Sequence, residues 1–502
     1  MNKQYLIYLF KERRIALVFF FILYLGLSLS PFLQNISMNA RAETSFLIAI
    51  CISILLTFAL PALLFAFVHR RRQADMMFAL PLSRQEQLLT NILFASAVSF
   101  VYFLITAAAV VLLGHSVIRL PYFLLFVLLS ALTILELTCI HTCIYLIPNN
   151  TFDGLVMLAV YTCLPLLVYI ASSVFTAGMV AGLGIETGSN LSLYLSPLYM
   201  NGHNLYTVCA AMIIPNPDTA VLSSANLSVA HSLRLLYIVI PFLMTIAACF
   251  LLRKHFINRM SERADQVSDD MLAYPLAIHI CTFLALLAIS VEAVAARQMR
   301  SCVFFYLLLL LIYIVSHFVY RRRITVDLKS LLIFFCMAVV SFGISKAAWM
   351  TRGFGRADAY TYDAGPYQFI EYWAQTDADD LTQPYDYTEP EREGSYLSIN
   401  ACIPSDQRDR YSNTLEIIDQ LRRESIDAYY SRTIPANSSY TLHLYNTDRL
   451  EEPTAIYNQY HYETARMLSY EELQAIAAEA DVHVMDWQGN EYTLEEYLEK
   501  IK

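Results

Sequence analysis

Nine apolar stretches dominate the first 350 residues of the chain. A helix needs roughly 20 apolar residues to cross about 30 Å of hydrocarbon, so each stretch predicts a membrane-spanning helix. The predicted spans are residues 15–33, 44–68, 90–113, 121–147, 155–176, 233–252, 274–294, 302–320 and 331–350. An Ala-Arg-Ala sequence at residues 40–42 resembles a signal-peptide cleavage site, but the apolar stretch before it is too long for a signal peptide.

The residues after 350 follow other patterns. Apolar and polar residues alternate at 396–403, 440–445 and 482–485, which predicts strands, whereas helical spacing predicts a helix over 406–430. Ser469 with Glu472, and Thr493 with Glu496, have the spacing of capping boxes and predict two more helices. The predicted fold class is an all-α polytopic membrane protein with nine transmembrane helices and a C-terminal α+β domain.

Composition and charge separate these two parts. Hydrophobic residues make up 57% of the chain and charged residues 15%, which excludes a disordered chain, a secreted disulfide scaffold and a soluble enzyme. From residue 350 onward there are 29 acidic and 12 basic residues, a net charge of −17. The remaining 14 acidic and 22 basic residues give the apolar part a net charge of +8.

The loops between the predicted spans carry an asymmetric distribution of Lys and Arg. Sixteen lie on one side and five on the other, and the richer side is normally cytoplasmic. The sixteen are Lys3, Lys11, Arg13, Arg14, Arg70, Arg71, Arg72, Arg84, Arg253, Lys254, Arg259, Arg263, Arg321, Arg322, Arg323 and Lys329. We therefore expect a bacterial plasma-membrane protein with a cytoplasmic N-terminus and an extracellular C-terminal domain. Of its ten cysteines, Cys209 and Cys402 are expected outside the membrane, and whether they pair stays open.

The predicted organisation has four parts. Residues 1–14 form either an amphipathic helix in the membrane interface or a plain extension of the first span. Residues 15–265 form a six-span core with a cytoplasmic loop at 69–89 and an exterior loop at 177–232, part of which is expected to be short helix packed against the spans. Residues 266–350 add three spans, and residues 351–502 form the acidic domain.

No motif for catalysis is present. The sequence contains no GxxxxGK[ST], HExxH, paired CxxC or GxSxG, so no catalytic residue, metal site or nucleic-acid partner is predicted. Glu136 and His141 are five residues apart, about 140° around a helix, and do not form one site by themselves.

The loop at 69–89 is too apolar to face only water. Its apolar residues predict a short helix over 76–82 that ends at Pro81, followed by a helix capped by Ser83 and Glu86. Such a helix either inserts into a groove of a partner protein or rests on the bilayer surface.

This loop resembles the cytoplasmic loop of type-2 ABC exporter permeases. The matching residues are Asp75, Met76, Met77, Phe78, Leu80, Pro81, Leu82, Ser83 and Arg84. Further similarities are the amphipathic N-terminus, Ser196-Pro197, and a segment with Arg259 and Glu262, which the resemblance implies as a secondary cytoplasmic contact. Gram-positive permeases with extra spans and an exterior C-terminal domain are the most similar type.

The resemblance implies a function. The permease would bind no cofactor itself, and a separate ATP-binding subunit would hold ATP and Mg and contact the loop. A second permease copy, or a paralogous permease, would complete the exporter. The cargo would be a peptide or a lipid-like, envelope-active compound, and related exporters confer resistance to antimicrobial peptides.

Other interpretations remain open. Glu136, near Thr133 on a mildly polar face, either hydrogen-bonds to a neighbouring helix or lines a translocation path. The acidic domain has a cluster of aromatic residues that is either an interface anchor or part of a binding surface for cationic peptides. These residues are Tyr360, Tyr362, Tyr367, Tyr372, Trp373, Tyr385 and Tyr387. The alternatives to an exporter are a non-transporting membrane sensor and an intramembrane enzyme.

Overall fold

The computed structural model describes residues 3–34, 38–114, 118–183, 193, 196–213, 235–268, 270, 272–295, 299–324, 327–359, 366–377, 394–433, 440–447, 456–486, 488 and 490–501. Within these residues, nine helices are long and apolar enough to cross a membrane, as the sequence predicts. They are α1 (Lys3–Leu29), α2 (Met38–Phe65), α4 (Arg84–Gly114), α5 (Leu120–Leu146), α6 (Thr151–Met179), α8 (Leu236–Leu252), α9 (Tyr274–Ala295), α10 (Met299–Arg321) and α11 (Leu328–Met350).

The chain forms two compact units. Unit 1 comprises residues 1–168, 190–281 and 313–326, and unit 2 comprises residues 169–189, 282–312 and 327–502. Unit 1 also contains the short helices α3 (Arg71–Phe78) and α7 (Pro197–Met212). At the N-terminus the structure has one continuous helix from Lys3 to Leu29, which corresponds to the alternative that residues 1–14 extend the first span.

Helix α7 is the packed helix expected within 177–232. Ser196 caps it by accepting a hydrogen bond from the amide of Tyr199, and it contacts α2, α5 and α8. The amide of Arg119, just before α5, donates to the carbonyl of Met212 at 3.0 Å. Cys209 is buried in α7, and both it and Cys402 are free thiols. Residues 184–192 and 214–232 of this predicted loop lie largely outside the described residues.

The C-terminal part of unit 2 is an antiparallel sheet with helices on one face. Its strands are β1 (Tyr367–Asp377), β2 (Gly394–Pro404), β3 (Tyr440–Thr447), β4 (Ile456–Glu463), β5 (Asp481–Met485) and β6 (Glu491–Thr493), in the order β4-β3-β1-β2-β5-β6. Inward side chains of the sheet pack with α12 (Ser412–Ser431), α13 (Tyr470–Ala477) and α14 (Leu494–Ile501) in one hydrophobic core. The three predicted strands correspond to β2, β3 and β5.

Four elements of the C-terminal domain differ from the sequence prediction, one helix and three strands. The helix predicted from residue 406 begins as a 3₁₀ turn, Ser405–Tyr411, and becomes α-helical at Ser412. Strands β1, β4 and β6 were not predicted.

The aromatic residues after the last span do not form one surface. Successive side chains of β1 point to opposite faces of the sheet, so Tyr372 is fully buried in the core while Trp373 is 42% exposed. Four other aromatic residues of the predicted surface lie outside the described residues: Tyr360, Tyr362, Tyr385 and Tyr387.

Helix α12 ends against two membrane-type helices within unit 2. The hydroxyls of Tyr429 and Tyr430 donate to the carbonyls of Gly178 and Met179, each at 2.9 Å. These carbonyls belong to the last turn of α6, which has no further intrahelical donors for them. The Trp349 ring, near the end of α11, lies 5.3 and 5.1 Å from the two tyrosine rings. The sheet domain is thereby fastened to α6 and α11.

Two residues with positive φ complete this junction. Arg432, at φ +62°, ends α12 and donates to the carbonyl of Val294 in α9. Gly182, at φ +82°, accepts a hydrogen bond from the amide of His461 at 2.6 Å. A Cβ on Gly182 would lie 2.4 Å from the ring of Tyr462, so only glycine fits this approach.

The orientation of the chain is testable at exposed positions. We predict that an impermeant thiol reagent applied to intact cells labels Glu471→Cys, because the Lys and Arg distribution leads us to expect the C-terminal domain outside the cell. Gln73→Cys, at an exposed position of α3 that is expected to be cytoplasmic, is the matched control and should react only after lysis. The reverse labelling pattern would contradict the topology.

The low-pH stability of unit 2 is a second prediction. Hydrogen bonds from Arg466 lower the pKa of Glu472 from 4.5 to about 2, so the folded state favours the ionised carboxylate. This contribution is present above pH 4.5 and is lost as the pH falls towards 2. All three tryptophans lie at or beyond residue 349, so tryptophan-monitored melting of the full chain reports on this unit.

The variant Glu472→Gln keeps the capping geometry but loses the charge. It should melt below the wild type at pH 6, and this difference should shrink towards pH 2. Glu471→Gln, at an exposed neighbour, should behave as the wild type. A constant difference across the pH range would exclude the Arg466–Glu472 pair as its source.

Candidate functional site

Helix α3 occupies the loop that resembles the permease motif. It runs from Arg71 to Phe78, so the predicted helix over 76–82 is wrong in its bounds. Pro81 restricts the residue before it to extended conformations, which ends the helix before Leu80 and leaves Leu80 and Leu82 in the following turn. The helix also starts earlier than predicted. The prediction began at the first large apolar residue, Met76, and left out the polar residues that form the first turn of α3.

Phe78 fixes α3 to the rest of unit 1. Its ring packs edge-on against Phe67, at 6.1 Å, and Phe256, at 5.9 Å, and the guanidinium of Arg84 lies 4.2 Å from its centre. Met77 is buried, and its carbonyl accepts a hydrogen bond from Gln87 at 2.8 Å. Phe78 and Met77 therefore hold the helix in place and do not face outward.

The outer face of α3 carries one large apolar side chain. Met76 is 60% exposed, beside the exposed Asp75. Pro81 and Ser83 are also exposed, in the turn that follows. A flexible thioether on a rigid, braced helix suits contact with an apolar groove of another protein.

The start of α4 is fixed by the predicted capping box. The amide and hydroxyl of Ser83 donate to the Glu86 carboxylate at 3.2 and 3.0 Å, and the Glu86 amide donates back to the hydroxyl at 3.2 Å. Arg84 then reaches across to the carbonyls of Ile257 and Arg259, at 2.9 and 2.5 Å. The loop is thus tied to the segment after α8.

Arg259 does not have the position expected of a partner contact. Its side chain is buried and donates to the carbonyls of Leu146 and Pro148, at 2.6 and 2.9 Å, and to the side chain of Asn149, at 3.0 Å. Burial lowers the pKa of Arg259 to about 10, so it remains charged at neutral pH. It serves as a cap for the carbonyl end of α5. Glu262 is exposed, on a short turn that contacts α3.

Glu136 and Thr133 are both buried in α5. One carboxylate oxygen of Glu136 accepts a hydrogen bond from Asn201 of α7 at 3.0 Å. His141 pairs with Thr57 of α2 at 2.9 Å, so the two ionisable residues face different helices, as their spacing predicts. Sequence reasoning missed Asn201, although two asparagines three residues apart in an apolar helix were a usable signal. This contact supports the structural interpretation of Glu136.

No family model matches the chain, and neither a curated protein nor a solved structure matches it. Among the described residues, no group of three or more His, Cys, Asp or Glu is placed to hold a metal ion.

The role of Arg259 is testable. Arg259→Met keeps much of the side-chain volume but leaves buried carbonyls without donors, and we predict a loss of about 3 kcal/mol of stability. Arg263→Met, at an exposed position on the same segment, should change stability by at most about 0.5 kcal/mol. Thermal unfolding of the full chain in detergent measures both. Similar melting temperatures for the two variants would show that Arg259 is not a structural anchor.

Proposed function

We propose that the protein is the membrane-spanning subunit of an ATP-driven exporter of the type-2 ABC class. Separate ATP-binding subunits supply the energy, and a second permease, identical or paralogous, completes the translocation path. The cargo class is a peptide or a lipid-like compound that acts on the cell envelope.

The observation that carries this proposal is the construction of α3. The helix is braced from behind by Phe78, Arg84 and Gln87, and it exposes Met76 at its outer face. A braced helix transmits force in a way that a loose loop does not. A contact that pushes on α3 would act on α4 through Arg84 and on the segment after α8 through the same side chain.

Two sequence features agree with this role. The chain has no phosphate-binding loop of its own, which is consistent with an ATPase on a separate subunit. The nine long apolar helices among the described residues are consistent with the multi-pass membrane part that an exporter requires.

The coupling test uses Met76 rather than Phe78, because substitution of the packed Phe78 would disturb folding. We predict that Met76→Asp places an unpaired charge in an apolar groove and weakens association with the ATP-binding subunit by about 2–5 kcal/mol. ATP hydrolysis by the purified complex should then no longer respond to the permease. The measurement is co-purification of an ATPase with the full chain, followed by its hydrolysis rate.

Two control variants distinguish the loss of the apolar side chain at Met76 from the addition of a negative charge to α3. Met76→Leu keeps the apolar surface and should retain coupling, and Gln73→Asp adds the same charge at an exposed position one turn earlier. If Met76→Asp assembles and hydrolyses ATP as the wild type does, α3 is not the coupling element.

A membrane sensor is the second candidate. Its support is the sheet domain, whose face opposite α12 exposes Trp373 and Tyr396. Helix α12 is hydrogen-bonded to the ends of α6 and α9 and packs against Trp349 near the end of α11. A sensor of this design would bind an extracellular ligand without an associated ATPase. Purification of the chain with no ATP-binding subunit, together with ligand binding by the exposed face, would favour it.

A further inference from the structure

A cavity of about 480 Å³ lies in unit 1 where α5 and α8 end. Its lining includes Ile147 and Asn149, just after α5, and Lys254 and Arg259, just after α8. This volume is within the range of small-ligand sites. The cavity lies where two membrane-type helices end and where lipid headgroups would meet the protein.

The charge of the lining is predominantly positive. Among the described lining residues, Lys254, Arg259 and Arg263 face one carboxylate, that of Asp270, which lies 3.9 Å from the Lys254 nitrogen and 3.7 Å from His255. The hydrogen-bond partners of the Arg259 guanidinium are carbonyl and amide oxygens, none of them charged. Positive charge in the lining therefore exceeds negative charge.

The lining also contains unused donor capacity. Among the described residues, the Nε atom of the buried Arg259 has no hydrogen-bond partner. The side-chain amides of Asn258 and Gln266 line the same space and add neutral donors. Guanidinium, ammonium and amide donors around a concave site are the groups that recognise phosphate.

We propose that this cavity binds a phosphate-bearing anion, with the headgroup of an anionic phospholipid as its source. Basic pockets between membrane helices on the cytoplasmic side hold such headgroups. The exposed side chains of Lys254 and Arg263 would close over the phosphate, while the buried guanidinium of Arg259 supplies a positive charge with a fixed position. The inference does not depend on an ATPase partner.

The test is native mass spectrometry of the full-length protein in detergent, titrated separately with phosphatidylglycerol, phosphatidylcholine and inorganic phosphate. Lys254→Gln and Arg263→Gln should each weaken phosphatidylglycerol binding about five-fold. Asp270→Asn removes the opposing charge, keeps an oxygen for the Leu272 amide, and should strengthen binding. Arg253→Gln, an exposed neighbour outside the lining, is the matched control and should leave binding unchanged.

The three ligands separate the sources of the phosphate. Tighter binding of phosphatidylglycerol than of the other two supports a lipid headgroup site. Phosphate binding with the same dependence on the variants would place a soluble phosphate compound in the same site. Equal weakening by Arg253→Gln and Lys254→Gln, or no binding of either anion, would overturn the proposal.

Discussion

A helix that ends inside a membrane protein leaves its last carbonyl groups without water and without intrahelical donors. At the end of α5 the missing hydrogen-bond donors are supplied by Arg259, whose guanidinium donates to the carbonyls of Leu146 and Pro148. The backbone carbonyl of Arg259 in turn accepts a hydrogen bond from the guanidinium of Arg84, and this guanidinium also lies over the ring of Phe78. One buried cation therefore sets the position of the segment after α8, the start of α4 and the outward face of α3.

Local patterns were enough to predict much of this architecture. The spans follow from uninterrupted apolar runs, and the capping boxes of Ser83 and Ser469 follow from hydrogen bonds that close within four residues. The separation of Glu136 from His141 follows from helix geometry alone. Each of these predictions depends on neighbours in the chain, so an isolated sequence contains the necessary information.

The remaining features depend on distant residues. A count of positive charges treats Arg259 and Arg263 alike. Arg259, however, is buried against carbonyls 111 and 113 residues away in sequence, whereas Arg263 is exposed. Aromatic composition alone does not reveal that β1 turns Tyr372 inward and Trp373 outward, since the strand has a defined register only beside β2 and β3. The partner of Glu136 likewise depends on how α7 packs against α5.

The bonds from Tyr429 and Tyr430 to the end of α6 join residues 251 positions apart. During synthesis at 5–20 residues per second, the carbonyls of Gly178 and Met179 therefore exist for roughly 10–50 s before their tyrosine donors are made. In that interval the four apolar helices α8 to α11 must be inserted, and the end of α6 stays without its final partners. Assembly of unit 2 is consequently a late event in biogenesis, and it requires that the sheet domain reach the same side of the membrane as the end of α6.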